Sequence, residues 1–263
     1  MMNLGLMDPA FLGGLGGERD PYFANVSLLL HGNGANGSTS IIDSSPTPKT
    51  ITAVGNAQIS TAQSKFGGAS IAFDGSGDYT STVDSSAFQI GLSNEPFTLE
   101  FWFYLNATGD HAFFSRGGGA GNWNTDTGYQ YFAFIQSGAL YWMWNDNLDG
   151  TPTFISTTTL PPIQQWNHYA AAYDATTTRL YINELSIGTP STLAYQTPSL
   201  ANRIRVGASP VDSSLLGLNG YIDELRITKG VCRYEVGTGA NAGKMVHAGT
   251  NILALPTAPF PDA

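Results

Sequence analysis

The sequence holds one cysteine, Cys232, among 263 residues, so no disulfide forms within the chain and a cysteine-stapled secreted scaffold is excluded. A lone thiol near the last strand reads as a small buried hydrophobe. Charge is scarce: Asp, Glu, Lys and Arg make up 12% of the residues, and 11 basic against 20 acidic side chains leave a net charge of −9. Such a chain repels phosphate backbones, and its few Lys and Arg residues gather into no basic stripe, which argues against nucleic acid and anionic membranes as partners. Long apolar runs are missing as well. The opening "MMNLGLMDPAFLGGLGGERDPYF" has no basic leading region, and Asp8, Pro9 and paired glycines interrupt it, so it reads as neither signal peptide nor membrane span. Helical periodicity is absent throughout.

What fills the chain instead is a succession of short runs rich in β-branched and aromatic residues, bounded by Gly, Asn, Asp and Pro clusters. In "PFTLEFWFYL", Phe97, Leu99, Phe101, Phe103 and Leu105 fall on one face, which predicts the filling of a core between two sheets. Thr98, Glu100, Trp102 and Tyr104 fall on the other. Further runs, among them "YQYFAFI", "ALYWMWND", "WNHYAAAYD", "TRLYINE" and "NGYIDELRIT", are spaced as in a large antiparallel sandwich, and a hairpin turn is expected near Asp174 to Thr177. The length suits a single all-β domain with tails.

Two nucleotide-binding look-alikes fail on inspection. "LLLHGNGANG" places Gly32, Gly34 and Gly37 in a G-x-G-x-x-G pattern after an apolar run, yet Pro46, Pro48 and β-branched residues follow where a helix should open. These glycines suit a wide loop with positive φ. In "GTGANAGKM", Gly237 lies one residue too far from Gly243-Lys244, and Met245 replaces the Ser or Thr that holds magnesium in a phosphate loop.

The order "SKFGGASIAFDGSGDY", "EPFTLEFWFYL", "WNHYAAAYD", "TRLYINE", "NGYIDELRITKGVCRY" and "PTAPFP" resembles the laminin-G-like jelly-roll domains of the concanavalin A-like lectin and glucanase superfamily, over about Asp20 to Pro261. The variant with "DPYF…LLLHG" in front and "ITKG…RY…PFP" behind is similar to domains encoded in bacteriophages and prophages. The resemblance implies an all-β, two-sheet antiparallel jelly-roll sandwich (residues 22–234), preceded by an apolar Gly-rich anchoring arm (1–21) and followed by an inserted segment and tail that returns to the domain (235–263). It also implies a non-catalytic structural component of a virion, a decoration, fibre or tail protein present in multiple copies. Its partners would be other virion proteins, reached through the N-terminal arm and the C-terminal insertion. The alternative is an adhesion module that binds host or environmental glycans. Two departures stand out: Glu235 to Leu255 are inserted before "PFP", suggesting adaptation to a neighbour, and Asn183-Glu184 replaces the usual Asn-Gly after "LYI".

Catalytic members of the superfamily cluster acidic residues along one strand, whereas Glu100 here stands alone on its strand. Asp223 and Glu224 are adjacent and so are expected on opposite faces. Asp74, Asp78, Asp174 and Glu184 belong beside turns, and the four histidines show neither metal spacing nor a nucleophile. No enzymatic activity is expected. The resemblance places a structural calcium, the one cofactor implied, near Asp43 and Asp223. For glycan binding the candidates are Trp123, Asn124 and Asp126 in "GGGAGNWNTDTGYQY", with Asp146 after "YWMWN": an aromatic face for sugar C–H surfaces beside groups that orient hydroxyls. Trp142 and Trp144 share the face of Leu140 and are expected in the core.

Overall fold

The computed structural model describes residues 19–117, 129–145, 152–195, 203–210 and 216–263. Along the chain run β1 (Val26–Leu30), β2 (Thr52–Val54), β3 (Gln58–Ser60), β4 (Ser70–Asp74), β5 (Tyr79–Val83), β6 (Phe97–Leu105), β7 (His111–Gly117) and β8 (Tyr129–Gln136). They continue with β9 (Ala139–Asn145), β10 (Pro152–Thr157), β11 (Trp166–Tyr173), β12 (Thr178–Ile182), β13 (Leu185–Ser191), β14 (Arg203–Val206), β15 (Asn219–Lys229), β16 (Tyr234–Val236) and β17 (Met245–His247). Eight strands form a first sheet in the order β13-β12-β11-β6-β15-β4-β3, with β1 also on β15; seven form a second, β10-β9-β8-β7-β14-β5-β2. All the pairings are antiparallel, so the chain is the two-sheet sandwich its pattern of strands implies.

The alternation in β6 decides the packing. Phe97, Leu99, Phe101, Phe103 and Leu105 are buried between the sheets, where they meet Leu140, Trp142 and Trp144 of β9. Both tryptophans are therefore core residues, and Trp142 Nε1 donates to Tyr195 Oη at 2.9 Å. After β1 no helix follows: Gly32 has φ 71°, and a Cβ there would lie 2.9 Å from Ser70 Cα. Close backbone packing, not phosphate, explains that glycine. The β11–β12 turn falls where expected, with Asp174 Oδ1 accepting the amides of Thr176 and Thr177 at 3.0 and 2.8 Å.

The outer face of the first sheet departs from expectation. Thr98, Glu100 and Trp102 are as buried as the core residues between them: the C-terminal segment folds back over Thr98 and Glu100, while Lys65 and Phe66 cover Trp102. Tyr234, Met245 and Ala254 pack on Ala170, Ala172 and Tyr181 of β11 and β12. The insertion thus buries Met245 and Ala254 on its own sheet, while Ile252 and Leu253 stay exposed. The Asn183-Glu184 change belongs to the same contact. A two-residue Asn-Gly turn favours positive φ at both positions. Here Asn183 is left-handed (φ 54°) and Glu184 is not. Glu184 instead pairs with Lys244 of the insertion (3.0 Å), its carbonyl accepts the Met245 amide (2.6 Å), and Ser186 N donates to the Gly243 carbonyl (2.9 Å).

Candidate functional site

One end of the second sheet gathers strand termini. Arg203 at the start of β14 lies opposite both Val83 at the end of β5 and Gly117 at the end of β7. Gly117 pairs with Tyr129, and Asn145 with Pro152, at this same end. The segments carrying Trp123, Asn124, Asp126 and Asp146 connect these strand ends, and those four residues lie outside the described residues.

Beside these termini opens a cleft of ≈ 330 Å³ lined by Thr50, Thr52, Ser81, Val83, Asp84 and Arg203. It sits there because β5 and β2 send Ser81 and Thr52, paired in register, to the outer face. Asp84 is fixed by a bidentate pair with Arg116, Nε to Oδ1 at 2.9 Å and Nη2 to Oδ2 at 2.7 Å. Arg116 is buried and also donates to Gln130 Oε1. Its rigid fork leaves the carboxylate partly accessible, at 18% of its side chain. Val83 is 85% exposed and adds an apolar patch. Hydroxyls, a fixed acceptor, a guanidinium and an apolar patch are the groups that hold a polyhydroxylated ligand.

Asp43 and Asp223, the calcium candidates, have separate sets of protein donors. Asp43 Oδ1 accepts the amides of Leu29 (3.0 Å) and Ser45 (2.9 Å), and Oδ2 accepts Ser45 Oγ (3.0 Å) and the Lys49 amide (2.8 Å). Four hydrogens directed at one carboxylate leave it pinning the 43–49 loop to β1 rather than facing a cation. Asp223 Oδ2 accepts the Lys65 and Phe66 amides at 2.7 and 3.1 Å. Burial pushes its pKa up to about 7, against those two donors and with the help of the Glu224 charge. Among the described residues no three His, Cys, Asp or Glu side chains group closely enough to hold a metal ion.

Asp223 and Glu224 also break the alternation expected of a strand. The register of β15 on β6 slips between Asp223 and Arg226, and Glu224 takes φ 50°. A bulge of this kind re-aims a side chain. Glu224 reaches the C-terminal tail, accepting the Phe260 amide at 2.8 Å, while both its oxygens stand 2.9 Å from His31 Nδ1. His31 Nε2 lies 2.7 Å from Asp262, so this histidine does have acidic partners. Burial opposes its charge, but the bonds and attraction of Glu224 and Asp262 outweigh that and raise its pKa to about 9.

Glu100, solitary in the sequence, sits in a dense ionic cluster. Arg226 donates to Oε1 from Nε (3.0 Å) and Nη2 (2.8 Å), Tyr234 Oη donates to Oε2 (2.5 Å), and His168 Nε2 lies 3.3 Å away. Arg226 and Arg233 both grip Asp20 as well. Burial works against the charged carboxylate, but Arg226 and His168 hold Glu100 well below the usual range, while burial lowers the pKa of His168. A general acid or base must come within hydrogen-bond reach of the substrate, and this carboxylate is wholly enclosed. One signal was legible beforehand: polar residues at alternate positions of β6 and β15, too hydrophilic for two apolar faces.

A family model described as the concanavalin A-like lectin/glucanases superfamily matches residues 74–233, more than half of the chain. Among solved structures, the binding domain of Paraclostridial mosquitocidal protein 1 aligns with TM-score 0.55 at 15% identity, covering 79% of this chain and 49% of that one. The botulinum neurotoxin serotype D binding domain aligns with TM-score 0.55 at 14% identity, over 79% and 48%. A botulinum neurotoxin type C structure, whose cell entry is described as dependent on two ganglioside molecules, aligns with TM-score 0.55 at 13%, over 79% and 48%. The chain therefore spans about half the length of these structures, and the likeness is one of fold. No curated protein matches it in sequence.

Proposed function

The chain belongs to the concanavalin A-like lectin/glucanases superfamily, and from that premise we propose that it is a non-catalytic carbohydrate-binding module whose ligand enters the cleft at Thr52, Ser81, Asp84 and Arg203. The observation that carries the reading is the cleft itself: a carboxylate immobilised by a buried arginine, flanked by hydroxyls and an exposed valine. Trp123, Asn124 and Asp126 are proposed to contribute to it, because β7, which precedes their segment, ends opposite Arg203, whereas Asp146 follows β9, toward the far edge of the sheet. Aromatic stacking from Trp123 would supply the apolar half of sugar recognition. The matched binding domains, one of them tied to gangliosides, favour binding over a purely structural role. The enclosure of Glu100 supports the absence of catalysis.

A glycan array tests the reading. The purified protein should retain defined glycans, and Thr52→Trp, which fills the cleft from an exposed position, should abolish retention. Binding that survives Thr52→Trp sinks the assignment of the cleft. Display on a bacteriophage particle is a second, separate proposal. It rests on the phage-type motifs and on the hydrogen bond from Asp20 N to the Ala263 carbonyl (2.7 Å), which brings the chain beyond the arm beside the C-terminal residue. Particles assembled with a chain lacking residues 1–18 should lose the protein; full occupancy would refute that role for the arm.

A further inference from the structure

A second open cleft, of ≈ 290 Å³, lies on the same rim and is lined by Asn25, Ser27, Thr47, Ala87, Glu95 and Lys229. The two clefts share both walls. On one wall Thr47 faces the second cleft and Thr50 the first; on the other, Ala87 faces the second and Asp84 the first. Each wall is thus continuous over three residues, at most about 10 Å of extended backbone. A single sugar ring cannot fill both clefts, whereas a short oligosaccharide can lie across them.

The walls are tied together by hydrogen bonds, part-buried at Lys49–Ser27 and exposed at Thr47, Ser86 and Asn25. Asp43 ties the 43–49 loop to β1, and Lys49 Nζ donates to the Ser27 carbonyl (2.5 Å) and to Thr47 Oγ1 (3.0 Å). Lys229 Nζ donates to the Ser86 carbonyl at 2.8 Å and pairs with Glu95 at 3.5 Å, while Asn25 Nδ2 donates to the Lys229 carbonyl at 3.0 Å. In the second cleft the charges pair, Glu95 with Lys229; in the first, Asp84 is paired with Arg116 from beneath and shares the lining with the guanidinium of Arg203. Paired charges beside hydroxyls suit uncharged hydroxyl groups better than sulfate or carboxylate, and a net charge of −9 further disfavours polyanions.

We infer that the second cleft is a second subsite, so that this rim reads a neutral oligosaccharide and binds it according to chain length. The inference rests on the carbohydrate-binding reading above. Linking two weak sites through one ligand raises affinity without new contacts at either.

The test is an array of malto-, laminari-, cello- and galacto-oligosaccharides graded from disaccharide upward, printed beside sialylated and sulfated glycans. The expected result is that one neutral series gains about tenfold or more in affinity with length, ~1.4 kcal/mol. Ala87→Trp, which fills the second cleft, should remove that gain and leave disaccharide affinity within about twofold. Lys229→Gln is the companion variant, and melting curves confirm that each is folded. A flat length series, a preference for acidic glycans, or a length gain untouched by folded Ala87→Trp and Lys229→Gln overturns the second subsite while leaving carbohydrate binding intact. Retention of no glycan of any class overturns both.

Discussion

Glu100 illustrates how burial converts a potentially reactive side chain into a structural one. Its oxygens meet Arg226 and Tyr234 where water is excluded, and Arg226 in turn shares Asp20 with Arg233. Removing one member of such a cluster leaves its partners charged and desolvated. Glu100→Gln should therefore destabilise the fold by about 3–5 kcal/mol, read as a shift in urea midpoint at unchanged slope. His31 makes a pH-dependent contribution of the opposite character. Its folded pKa of about 9 lies above the ordinary 6.5, so the stabilisation is complete below about pH 6.5 and is lost as pH rises through about 9. Screening at this half-buried position keeps the effect on the order of 1–2 kcal/mol. Unfolding free energy should fall over that window in the parent and fall less in His31→Asn; parallel curves would show that the ring does not link tail docking to pH.

At the scale of elements, the C-terminal segment behaves as part of the first sheet's packing. Met245 is fully buried against β11 and β12, whereas the Glu184–Lys244 pair is more than a third exposed at each end. The two contacts should respond unequally. Met245→Ala should cost about 2–5 kcal/mol and make residues 235–255 the first site of proteolytic cleavage. Glu184→Ala should cost less than about 1 kcal/mol, as solvent-screened pairs do. Equal losses in the two variants would mean that the turn, and not the apolar contact, holds the insertion down.

For the whole molecule, the sandwich has one outer face sealed by its own C-terminal segment and clefts left open along a rim. Incubation with β-glucans, galactans and bacterial polysaccharides should release no reducing ends above a buffer control. Turnover abolished by Glu100→Gln would require the C-terminal segment to lift away and would overturn the non-catalytic assignment. Trp123→Ala should lower glycan affinity by about 2 kcal/mol, the usual loss when a desolvated aromatic leaves a binding surface. Unchanged array binding would remove Trp123 from the site.

The sequence by itself determined the fold class, because the period-two alternation of β6, the shared face of Leu140, Trp142 and Trp144, and the spacing of the short runs call for two sheets packed face to face. It determined the decoy status of both glycine loops, since proline, β-branched residues and a wrong spacing are local facts. It did not reveal the distant partners of Glu100, His31 and Asp43, among them Arg226, Glu224 and Leu29, which lie 126, 193 and 14 positions away along the chain. Nor did it reveal that Glu224 sits in a bulge, because a one-residue slip against β6 is set by the pairing and not by either strand alone. The covering of the first sheet and the convergence of two clefts on one rim were decided by tertiary structure, where the return path of the chain selects which polar residues are enclosed and which face solvent.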